Sequence, residues 1–106
     1  MKRVVIESPL AGNVERNLDY AKACLLDSLH RGEAPFASHL LYPQVLDDVT
    51  PEDRKLGMMA GFTWGEKAEL VAVYEDLGIS EGMEAGIAHA EGHGIPVERR
   101  KLGGRW

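Results

Sequence analysis

Four carboxylates and a serine hydroxyl crowd one short segment, Glu75-Asp76-Leu77-Gly78-Ile79-Ser80-Glu81-Gly82-Met83-Glu84. Ser80 is a natural N-cap for a helix beginning there. Residues 80, 84 and 88 then share a face, so Glu84 can look back toward a ligand beside Ser80. A helix N-terminus favours the ionised carboxylate. A positioned carboxylate with no neutralising cation is the nucleophile that an anomeric carbon requires. Asp76, ending the strand before the turn, is placed to act as partner acid or to orient a sugar hydroxyl. Two carboxyl groups flanking a glycosidic bond at roughly 5–5.5 Å form the retaining arrangement. The same residue types also suit an ordinary helix start and turn. What separates the two readings is whether Glu84 and Asp76 face one open pocket.

The elements that must hold this turn can be read from the pattern. Leu70-Val71-Ala72-Val73-Tyr74 is short, β-branched and aromatic, as a buried strand is. Residues 3–8 read as a first strand, and Pro9-Leu10-Ala11-Gly12 turns out of it. Asn13 caps a helix with Leu18, Ala21, Leu25 and Leu29 at helical spacing, stopped by Gly32. Pro35 to Leu41 is the second strand, and 42–49 has no clear period and reads as a loop. Thr50-Pro51-Glu52-Asp53 starts a helix running to about Lys67. Gly57, Gly61 and Gly65 lie within it, each costing about 1 kcal/mol relative to alanine; they imply either close packing or a break near Gly61. The third helix spans Ser80 to about His93, and Ile95–Leu102 is a last, polar edge strand. The order β-α-β-α-β-α-β implies one α/β domain over 1–106. Its architecture is a three-layer α/β/α sandwich with a small four-stranded, mainly parallel sheet.

The pattern Asp76-x-Gly78-x-Ser80-x-Gly82-Met83-Glu84-x-Gly86-x-Ala88 resembles the signature of the nucleoside 2-deoxyribosyltransferase family and its relatives, the deoxynucleoside 5'-monophosphate N-glycosidases. The Gly-Ile-Ser-x-Gly-Met portion also resembles small phage and prophage proteins. The resemblance implies a Rossmann-like, nucleoside deoxyribosyltransferase-like fold and a nucleoside or nucleotide as small-molecule partner. By resemblance Glu84 is the nucleophile at C1', and Asp76 holds the sugar or protonates the base. Ser80, Gly82, Met83 and Gly78 then lie against the ligand, with Ser8 and Gly12 from the first-strand loop. The competing reading is a non-catalytic nucleotide-binding or protein-interaction module of the same fold.

Composition narrows the remainder. A net charge of -5 over 106 residues argues against a nucleic-acid binder, which shows a basic face. No segment nears the roughly 20 apolar residues of a membrane span, and the start carries no signal-peptide pattern; a cytoplasmic protein is expected. The single cysteine, Cys24, reads as a core residue. His89 and His93 are spaced i, i+4, as zinc ligands can be, but no third ligand is evident and two histidines also suit a helix C-terminus. No metal and no cofactor are expected. Arg54 is a candidate phosphate contact or a surface residue; Arg99, Arg100 and Lys101 read as a solvated edge, with a phosphate contact or edge protection as the alternative. Trp64 and Phe62 suit a core, an interface or a stacked base, and Trp106 a neighbouring subunit. So small a sheet leaves apolar faces to cover, and a homo-oligomer is expected.

Overall fold

The computed structural model describes residues 1–106. The elements in chain order are β1 (Arg3–Glu7), α1 (Val14–His30), β2 (Ala34–Phe36), α2 (Ser38–Leu41), a 3-10 turn (Tyr42–Gln44), α3 (Pro51–Gly65), β3 (Leu70–Tyr74), α4 (Glu81–Gly92) and β4 (Val97–Arg100). The sheet order is β2-β1-β3-β4, and every pairing is parallel. The connection leaving β1 runs to one side and β3 returns on the other. The carboxyl ends of β1 and β3 therefore form a topological switch point, where open α/β sheets bind ligands.

Strand alternation divides the core in two. Val4, Ile6, Leu70, Ala72 and Tyr74 face α1, where they meet Tyr20 and Cys24. Val71 and Val73 face α4 with Met83, Ala90 and Ile95, and Val5 packs against them. The same alternation puts Glu7 on the α4 side, paired in register with Val73. Every residue of β3 is buried, as a central strand covered on both faces must be.

Capping follows the sequence closely. The Asn13 side chain accepts a hydrogen bond from the Arg16 amide. The Ser80 hydroxyl accepts from the Met83 amide at 3.2 Å, and the Met83 sulfur accepts from the Ser80 amide in return. Gly78, at φ 87°, makes the turn between β3 and that cap.

Several expectations are corrected. The second strand stops at Phe36, and the rest of the apolar run becomes α2. Thr50 precedes α3 but does not cap it; its hydroxyl donates to Asp47 instead. α3 is unbroken, and its glycines serve packing. A Cβ at Gly61 would lie 2.8 Å from the Ser38 hydroxyl oxygen, and one at Gly65 would touch Val5. Arg100 is not on a solvated edge. It is 6% exposed and grips both Glu33 carboxylate oxygens, at 2.8 and 2.7 Å, while also donating to the Tyr74 hydroxyl. Trp106 folds back edge-on against Tyr20 of its own chain.

Candidate functional site

A cavity of about 340 Å³ opens beside the carboxyl end of β1 and extends along the α4 side of the sheet to Val71, within the range of small-molecule sites. Its walls come from the loop after β1, the α2–α3 segment and one side of α4 from its first turn to Ala90. The Asn17 amide, rooted in α1, donates to the carbonyls of Leu10 and Ala11 and so fixes the first of these walls.

The sequence-derived candidates divide. Ser8, Ser80, Gly82 and Met83 line the cavity. Gly12, Gly78, Asp76 and Glu84 do not. Glu84 stands exposed on α4. Asp76 is half-buried and both its oxygens are engaged: one accepts from the Tyr20 hydroxyl and the Leu102 amide, the other from the Gly103 amide. Burial raises its pKa, but the Tyr20 hydroxyl and these amides outweigh that and hold it below the usual carboxylate range. Asp76 thus ties the C-terminal tail to the end of β3. The structure does not bring Asp76 and Glu84 together at the cavity.

A different carboxyl group occupies the switch point. Glu7, the last residue of β1, lines the cavity beneath α4. No hydrogen bond or ion pair holds its side chain. Gly86 makes the room, since a Cβ there would lie 2.2 Å from a Glu7 carboxylate oxygen. Desolvation alone pushes the Glu7 pKa up to about 8, so the carboxyl is mainly protonated at neutral pH.

Beside it, Ser8 and His39 share a hydrogen bond of 2.6 Å between Oγ and Nε2. Burial lowers the His39 pKa to about 4, and the ring is neutral. The cavity therefore presents a neutral acid, a hydroxyl and a neutral imidazole. Around its mouth stand Asp48, Asp53 and Glu81, against a single cationic side chain, Arg54.

Motif reading passes over His39, and takes Glu7 only as the start of the first-strand loop, with no chemical role. Glu7 lies at the end of a strand where Val5 and Glu7 share a face, so period-two alternation places it, but nothing local says that this face opens to a cavity. His39 sits in the run that reads as strand, and only its placement on α2 brings it to Ser8.

The fold has solved counterparts. The 2-deoxyribosyltransferase from the psychrotolerant bacterium Bacillus psychrosaccharolyticus superposes with a TM-score of 0.61 at 14% identity, over 98% of this chain and 75% of that one. The CMP N-glycosidase of Clostridium botulinum superposes with a TM-score of 0.56 at 14% identity, over 94% and 71% of the two chains. At such identity the likeness shows the shared fold. No curated protein matches the sequence. The model of the family described as a domain of unknown function, DUF7768, matches residues 2–100, and the chain belongs to that family.

Proposed function

We propose that the chain cleaves the N-glycosidic bond of a nucleoside bound at the switch point, with Glu7 as the reacting carboxyl. The observation that carries this reading is a desolvated carboxyl in the cavity with no hydrogen-bond partner and no cation. Such a group is held ready for a ligand rather than for the fold. The shared fold with a 2-deoxyribosyltransferase and a CMP N-glycosidase supports the reaction class.

In the proposed step the Glu7 carboxyl gives its proton to the base as the bond from C1' to nitrogen breaks. The base leaves neutral, and the carboxylate left behind closes on the electron-poor C1'. Water or a second base then displaces this glycosyl ester, and its proton returns to Glu7. A raised carboxyl pKa suits the acid half of this cycle. Ser8 and His39, both uncharged, orient sugar hydroxyls or a base edge. Asp48, Asp53 and Glu81 outnumber Arg54 around the cavity. A neutral nucleoside therefore fits better than its 5'-monophosphate.

A second reading, a nucleotide-binding module without chemistry, is favoured by one observation: the two residues to which the sequence resemblance assigns catalysis, Glu84 and Asp76, lie outside the cavity. Release of free base from a panel of nucleosides and 5'-monophosphates separates the readings. The native protein is expected to release base, Glu7→Gln to lose about 10²–10⁴-fold in rate, and Glu84→Ala to keep it. Loss in Glu84→Ala with retention in Glu7→Gln would return the nucleophile to α4. A nucleoside-dependent thermal shift without any base release would leave the binding module.

A further inference from the structure

We propose that Glu66, His89 and His93 form a binding site for a divalent transition metal of the zinc class. The site is independent of the glycosidic reading. Glu66 follows the last turn of α3, and the two histidines lie at the C-terminal end of α4. One Glu66 carboxylate oxygen lies 3.7 Å from His89 Nε2 and 3.6 Å from His93 Nε2. All three ligand atoms fall within 4.8 Å of one another. Around a tetrahedral zinc with bonds of about 2.0–2.1 Å, neighbouring ligand atoms stand roughly 3.3 Å apart. Both Glu66 distances lie close to that spacing.

Two further features point to ligation and not merely to proximity. His93 Nδ1 lies 2.8 Å from the His89 carbonyl oxygen, which can only accept, so Nδ1 carries the hydrogen. In the neutral ring this leaves the Nε2 lone pair directed at the cluster, which is how a backbone carbonyl prepares a metal-binding histidine. His89 is fixed differently: its ring stacks on Phe62 at 4.4 Å between centroids, nearly parallel at 11°. Both imidazoles are thus held before any ion arrives. Two histidines and one carboxylate also make the ligand set of zinc sites that keep a fourth position open.

The location gives the ion a role. α3 and α4 form adjoining walls of the cavity, and His89 is part of its lining. A metal joining Glu66 to His89 and His93 would clamp the C-terminal ends of these two helices. The fourth position would hold water or an added ligand atom.

Titration of the chelator-treated full chain with Zn²⁺ tests this. One equivalent per chain is expected to bind, with a rise in Tm that grows with free zinc. Co²⁺ in its place is expected to give the visible absorption of a four-coordinate site. His93→Ala and Glu66→Gln change exposed side chains and should fold, which circular dichroism checks. Each is expected to weaken Zn²⁺ binding at least tenfold and to abolish the cobalt spectrum. Failure of the native chain to bind Zn²⁺ would overturn the proposal. So would undiminished affinity in folded His93→Ala, since the ion would then sit elsewhere.

Discussion

Glu7 and Asp76 end neighbouring strands, or nearly so, and yet sit in opposite chemical states. Asp76 lies toward α1, where Tyr20 and two tail amides satisfy both its oxygens. Nearby on that face, Arg100, Glu33, Tyr74 and Asp27 complete a closed polar network. Glu7 lies toward α4 with no partner at all, and desolvation pushes its pKa up as hydrogen bonding holds that of Asp76 down. A carboxylate with both oxygens engaged by the chain's own donors is structural. One that is half-buried in a cavity with no protein partner is open to a ligand. Both faces of the sheet carry a core, but only the α4 face leaves a carboxyl without a protein partner.

Removing Asp76 should have the largest effect on stability. Asp76→Ala leaves the Tyr20 hydroxyl hydrogen and two amides without an acceptor and frees the tail with Trp106. The expected loss is about 3 kcal/mol, from unmade hydrogen bonds to a charged group, measured by urea unfolding at neutral pH. Because the native pKa of Asp76 is lowered, its contribution is present at neutral pH and fades as the pH falls below about 4. The difference between Asp76→Ala and native should therefore shrink in acid. A constant difference would mean that packing, not charge, holds the tail.

Glu7→Gln should move stability in the opposite direction. The folded pKa of Glu7 is raised from 4.5 to about 8. Between these values the unfolded chain releases a proton that the native chain keeps, so native stability falls as pH rises through the window, by about 1.4 kcal/mol per unit. Glutamine removes this slope. The variant is expected to match the native protein near pH 4 and to exceed it increasingly toward pH 8. Parallel stability curves for the two proteins would mean that Glu7 is solvated or paired in solution.

The sequence reveals more of the scaffold than of the site. The element order, the Ser80 and Asn13 caps and the buried β3 follow from local signals: period, cap chemistry and turn glycines. The short β2 does not, because Ala37 and Leu40 are as apolar as a strand would need and only their packing against the α1-face core decides otherwise. Asp76 reads as a catalyst or as an ordinary turn residue until its partners, 26 and 27 residues further on, are placed. Arg100 sits in a basic run that suggests solvent, but its partner Glu33 lies 67 residues away. Glu66 is invisible as a third ligand for His89 and His93 because α3 meets α4 only in the folded chain. For the polar side chains the missing information is which long-range neighbour each one meets.

Gly86 offers the smallest change in stability and the sharpest separation of the two faces. Gly86→Ala should favour α4 by up to about 1 kcal/mol through helix propensity alone. The new methyl would meet the Glu7 carboxyl, which is the end of a flexible side chain and can swing away. Net stability is then expected to change by less than about 1 kcal/mol, the propensity gain offsetting the rearrangement. The consequence for Glu7 is larger than that for the fold. Displaced into the cavity, the carboxyl regains solvent, and its pKa should drop toward the ordinary range. The pH slope between 5 and 8 should flatten, while the acid limb set by Asp76 stays as it is. Any base-releasing activity should fall with the slope, although no group on Glu7 has been altered. An unchanged slope with unchanged activity would show that Glu7 does not need the seat that Gly86 provides, and the contrast between the two carboxylates would lose its structural cause.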